Sequence, residues 1–163
     1  MVEDVVRALG FLTLGTRLKR IGDRLQANAT RIVAAHGVPL HASQYPVLNA
    51  LDRLGALTIG ELAEAVGITQ PGATRTVGQL VKLGVLKARP GRDDQRQRIV
   101  SLTARGRRQV DFGKREVWPK VEAAVADLCK GLAGPLLDQL AQIEDGLTAR
   151  PLDRRTGKPK RKH

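Results

Sequence analysis

The chain has 163 residues, 42% of them hydrophobic and 27% charged, which is a single-domain length with enough apolar material for a core. Its one cysteine, Cys129, excludes an intramolecular disulfide and a thiolate metal cluster. The net charge of +12 is concentrated: residues 66–108 hold ten Lys/Arg against two Asp/Glu, residues 150–163 hold seven against one, and residues 109–149 are net acidic.

A basic segment and a basic tail, rather than an even spread, attract polyanions. The opening MVEDVVRALG has acids where a signal peptide needs a basic run, and no apolar stretch is long enough for a bilayer. The expectation is a cytoplasmic protein without a membrane partner.

Taken in order, Val5, Leu9, Leu12, Leu18, Ile21, Leu25 and Ile32 recur at helical spacing over residues 4–36. They predict one long helix with an irregular start, ended by Gly37 and Pro39. Gly10, Gly15 and Gly22 each weaken it by about 1 kcal/mol relative to alanine, so it needs packing to persist. A second helix is expected over Ala42–Leu54, closed by Gly55. Thr58 and Glu61 form a T-x-x-E capping box ahead of a third helix that Gly67 stops. Thr69 is the N-cap of a fourth, with Pro71 in its first turn and Gly84 at its end. Residues 85–89 and 99–102 predict two strands about a Pro90-Gly91 turn. Helical spacing resumes at Ala104 and runs to Gly131, with a kink or break expected at Trp118-Pro119. A last helix covers about 135–147, and the tail 150–163 lacks apolar periodicity and reads as disordered.

The third and fourth helices, joined by Gly67-Ile68, form a helix-turn-helix pattern. At 100° per residue, Ala73, Val77 and Leu80 share the core side of the fourth helix. Pro71, Thr74, Arg75, Gly78, Gln79 and Lys82 fall on the other side, which has no acid. Guanidinium, amide and hydroxyl groups on a helix are the groups that read base edges in a DNA major groove. A generic helical corner shows the same turn, so the turn alone is weak and the face carries the reading. The candidate DNA-binding residues are Thr69, Gln70, Thr74, Arg75, Gln79 and Lys82. Arg92, Arg96 and Arg98 join them at or beside the hairpin tip, where arginine gains from the potential of a narrow minor groove. Asp93 and Asp94 there fit local work on turn amides or a neighbouring arginine. A solvated tip of mixed charge is the alternative.

With these residues in place, the chain resembles the MarR winged-helix transcriptional regulators over roughly residues 10–148. The resemblance rests on Ser43-Gln44-Tyr45-x-Val47-Leu48, on Leu62-Ala63, and on Pro71…Thr74-Arg75…Leu80…Gly84. Its most specific part is Asp94-Gln95-Arg96 followed by Val100-Ser101-Leu102-Thr103-x-x-Gly106. It implies a mostly α fold with a small β-hairpin wing, Arg96 in the minor groove with Asp94 organising it, and Arg75 towards DNA. Gly78 departs from the family, where many members carry an acid. The resemblance further implies a homodimer through interleaved first and last helices. The expected division is residues 1–37 with 106–149 for dimerisation, 38–105 as the winged helix-turn-helix, and 150–163 as a basic tail. It also implies a small aromatic or anionic effector, for which Phe11, His41, Tyr45 and Phe112 are candidates.

No arrangement of His36, His41, His163 or Cys129 suggests a nucleophile or a metal site, so neither an enzyme nor a cofactor is expected. Single-strand and RNA binders stack bases on aromatic side chains. The basic segment has none, which favours duplex DNA. The expected function is a sequence-specific, ligand-responsive repressor acting as a homodimer. The alternative is a winged-helix protein that binds DNA without sequence choice.

Overall fold

The computed structural model describes residues 2–91, 97–152 and Arg155. The first expected helix comes in three pieces: α1 (Val5–Ala8), a 3-10 turn (Gly10–Thr13) and α2 (Leu14–Ala35). Gly10 has φ of 57°, the left-handed region, so the irregular start lies there. Of the 22 residues in α2, only Val33 is buried. Val5, Leu9, Phe11, Leu12, Leu18 and Ile21 are all exposed.

A 3-10 turn (Ala42–Gln44) leads into α3 (Tyr45–Leu54), then β1 (Leu57–Thr58), α4 (Ile59–Val66) and α5 (Gln70–Lys82). Strands β2 (Leu86–Pro90) and β3 (Arg98–Leu102) form the wing. The fold is the expected mostly helical one with a small sheet, but the sheet has three antiparallel strands in the order β1-β3-β2. The added strand β1 pairs Leu57 with Val100 and Thr58 with Ile99. It is two residues long, too short for alternation to show in a sequence.

Both helices of the helix-turn-helix are capped as expected. Glu61 N–H donates to Thr58 Oγ1 (3.2 Å), and Thr58 N–H donates to the Glu61 carboxylate (2.8 Å). At the end of α4, Ile68 N–H donates to Ala63 O (3.0 Å) and Gly67 takes φ of 69°. That left-handed turn leaves only three residues between the end of α4 and the start of α5. Leu48, Leu62 and Leu80, from α3, α4 and α5, are completely buried, together with Val100 of β3. Each such leucine contributes about 1.5–3 kcal/mol by burial. This core fixes the angle at which α5 is presented.

After β3, α6 (Ala104–Phe112) continues through a π turn (Gly113–Val117) into α7 (Trp118–Cys129). The expected break at Trp118-Pro119 is therefore a change of winding. Trp118 N–H reaches back five residues to Gly113 O, so α7 restarts at Trp118. Pro119 then lies in a first turn, where its missing N–H removes no regular bond. The Trp118 indole lies over Gly113, where a β-carbon would come within 2.7 Å of Nε1. Its ring meets Tyr45 edge-on, with centroids 5.7 Å apart and planes at 88°. Lys120 Nζ donates to His36 Nε2 (2.7 Å), with the other ring nitrogen 2.7 Å from Ile32 O, and Lys114 pairs with Asp52 at 2.5 Å.

The backbone divides into two compact units, one up to Ala123 and one from Ala124. The second holds the end of α7 and all of α8 (Leu136–Ala149). Neither helix has a buried residue, and Leu128, Leu132, Leu137, Ile143 and Leu147 are exposed. Cys129 is half-buried. Most of the basic tail lies outside the described residues.

Candidate nucleic-acid interface

Helix α5 buries Ala73, Val77 and Leu80 and exposes Gln70, Pro71, Thr74, Arg75, Gly78, Gln79 and Lys82. The 100° placement thus describes both faces. Thr69 has structural work: its hydroxyl accepts from Gly72 N–H (3.3 Å) as the N-cap. The Thr74 hydroxyl donates to Gln70 O (2.9 Å), so it faces outward as an acceptor. Arg75 and Lys82 make no hydrogen bond or ion pair among the described residues. Their charges are available to an external anion. Gly78 has open space where a β-carbon would stand.

Gln79 is engaged inside the protein, which its place on the exposed face did not reveal. Its Oε1 accepts from Gln44 Nε2 (3.3 Å), across 35 positions of sequence. Gln44 is the one buried polar side chain among the described residues, 8% exposed.

The wing is closed at its base by Gly91 N–H to Gln97 O (2.9 Å). Arg98 stands at the first position of β3, exposed and opposite Pro90. Arg92, Asp94 and Arg96 lie outside the described residues. Lys87 and Arg89, absent from the sequence-based candidates, point outward from β2 while Leu86 is buried. Strand alternation between Leu86 and Arg89 was the signal for them.

The four effector candidates have separate surroundings. Phe11 is 93% exposed. His41 Nδ1 caps the turn before α3, accepting from Ser43 N–H (3.3 Å). Phe112 is half-buried against the core. Tyr45 is buried, which pushes its phenol pKa up. Tyr45 Oη and Trp118 Nε1 are buried with no hydrogen-bond partner among the described residues. A groove of about 330 Å³ between α3 and α4 is lined by Pro46, Asn49, Arg53, Leu54 and Val66 among others, and by none of the four. Among the described residues, no group of three or more His, Cys, Asp or Glu side chains is placed to hold a metal. No described helix is long and apolar enough to cross a membrane.

Residues 36–97 match the model of the MarR family. The transcriptional activatory protein BadR of Rhodopseudomonas palustris is 31% identical over 94 residues, 56% of this chain and 53% of that protein. The match thus spans about half the length of this curated relative. A mutant MarR from E. coli, solved in complex with operator DNA, has a TM-score of 0.67 at 20% identity, covering 90% of this chain and 98% of that one. The M. tuberculosis regulator MOSR in complex with DNA has a TM-score of 0.66 at 20% identity, covering 82% and 93%. BldR from Sulfolobus solfataricus has 0.65 at 20%, covering 89% and 99%. These structural likenesses establish the fold, and residues 36–97, over a third of the chain, are similar to the MarR family.

Proposed function

We propose that the protein is a sequence-specific duplex-DNA-binding transcriptional regulator that acts as a homodimer. The observation that carries this is the acid-free outer face of α5, on which Arg75 and Lys82 have no partner among the described residues. A solvated helix face has no need of a capped, core-anchored helix with two glycines and its cations left unpaired. The wing places Lys87, Arg89 and Arg98 beside that helix in sequence, and two of the structural neighbours were solved on DNA. Dimerisation follows from the exposed apolar residues of α1 and α2 and of α7 and α8, which a second copy would cover. We further assign the response of this regulator to a small aromatic or anionic effector, supported by the two unpaired buried polar atoms of the Tyr45–Trp118 pair. The sequence-based expectation is a repressor, whereas the curated relative is named an activatory protein. The sign of regulation follows from where the operator lies, and a promoter–reporter measurement decides it.

The test is selection of bound sequences from random duplex DNA by the purified protein. A dimer reading two half-sites gives an enriched palindrome with centres about 10 base pairs, or a multiple, apart. A pool that stays random while the protein binds it establishes the alternative, binding without sequence choice.

A further inference from the structure

The link between Gln44 and Gln79 has a polarity that fixes which atom the recognition helix shows to DNA. The backbone N–H of His41 can only donate, so the Gln44 atom 2.9 Å from it is the carbonyl oxygen, Oε1. Gln44 Nε2 therefore faces the other way, towards Gln79. An amide N–H₂ also only donates, so the Gln79 atom it meets is Oε1. The Gln79 N–H₂ group remains, on an exposed side chain, with no partner among the described residues. The start of this chain is itself anchored, because Ala42 N–H donates to Thr30 Oγ1 of α2 (3.0 Å).

We propose that Gln44 is a positioning residue for base readout: it holds the Gln79 amide in one orientation, so that the helix offers a donor at that position and its carbonyl is turned inward. This rests on the DNA-binding reading above. A free glutamine pairs with adenine through a donor and an acceptor together. Here the carbonyl is engaged by Gln44, and the amide seeks acceptors alone. Guanine offers two acceptors and thymine one on the major-groove edge; adenine sets its N7 acceptor beside an N6 donor that the inward-turned carbonyl leaves unmet, and cytosine presents a donor. The base beneath Gln79 is therefore guanine or thymine.

The experiment is selection from random duplex DNA with the wild type, Gln79→Ala, Gln44→Glu and Gln44→Met. Gln79→Ala relaxes one position in each half-site, which marks the base in question. In Gln44→Glu the carboxylate accepts from His41 N–H and demands a donor from Gln79. The amide of Gln79 then turns over, its carbonyl faces the groove, and preference at the marked base moves by about tenfold towards cytosine or adenine. Gln44→Met removes the hold without a buried charge and admits adenine at the marked base; it carries the test if the glutamate variant fails to fold. A merely structural role for Gln44 lowers affinity for all sequences and leaves the motif unchanged. That result overturns the inference while the DNA-binding reading stands, as does a Gln79→Ala variant that relaxes no position. A wild type with no base preference anywhere overturns both.

Discussion

Gly106 lies so close to Val85 that no side chain fits between them: a β-carbon on Gly106 would overlap the Val85 carbonyl oxygen. The same oxygen accepts from Thr103 N–H (3.0 Å), and Thr103 Oγ1 in turn accepts from Gly106 N–H (3.0 Å). Thr103 thus caps α6 while its hydroxyl donates to Gly84 O (2.7 Å) at the end of α5. The Thr103-x-x-Gly106 signature therefore joins α5 and the wing to the helix that follows. Gly106→Ala forces backbone apart at this joint and is expected to lower stability by about 1–3 kcal/mol. Urea denaturation reads it, and an unchanged midpoint contradicts the close approach.

Gly78→Ala is expected to act with the opposite sign. A β-carbon there meets nothing within 4 Å, and alanine gains about 1 kcal/mol of helix propensity. On the proposed reading, in which the glycine serves close approach of the helix to a DNA groove, the variant should be more stable and bind specific DNA more weakly. A stabilised variant with wild-type affinity removes that explanation.

The candidate site was legible wherever its signals are local. The Thr58–Glu61 box, the Gly67 turn and the burial of Ala73, Val77 and Leu80 all depend on residues a few positions apart, and all are present. Strand β1 was not legible, since two residues show no period and its partners Ile99 and Val100 lie some forty positions away. Nor was the Gln44–Gln79 bond, because helical spacing places Gln79 on the outer face without saying that its carbonyl turns back. Pro119 misled for a related reason. A proline marks where an N–H is missing, but the π turn that accommodates it depends on Gly113 leaving room for the Trp118 indole.

The capping box predicts a pH dependence. Hydrogen bonds from the Thr58 backbone N–H and hydroxyl hold the Glu61 carboxyl below its ordinary value of 4.5. A depressed folded value contributes stability that is present above the unfolded value and lost as pH falls through the folded one. The stability difference between wild type and Glu61→Gln should therefore be largest near neutrality and shrink below about pH 4.5. A difference that is constant across that range would show that the charged carboxylate plays no part in the cap.

Arg75 separates base contact from phosphate contact. Arg75→Ala should leave folding unchanged, since the side chain is exposed and unpaired among the described residues. If it reads a base, affinity for the selected operator falls by about 1–3 kcal/mol and preference relaxes at one position. If it meets phosphate, the loss is similar on every sequence and the salt slope falls by about one. Wild-type binding in all respects removes Arg75 from the interface.

The wing supplies the last prediction. Its base is fixed by the β2–β3 ladder and by Gly91 N–H to Gln97 O. Arg96→Ala should shift stability by no more than about 0.5 kcal/mol, as surface changes usually do. It should still weaken DNA binding clearly, because a guanidinium in the minor groove gains from the potential there. Asp94→Ala decides how the tip works. Removing a negative charge beside DNA tightens binding by electrostatics alone. If Asp94 instead aims Arg96, its loss weakens binding against that trend. The double variant is then less damaged than the two single losses together, since an arginine without its guide has little left to contribute. Four affinities at one salt concentration complete the cycle. Tighter binding by Asp94→Ala, or strict additivity, would show two independent charges rather than an organised tip.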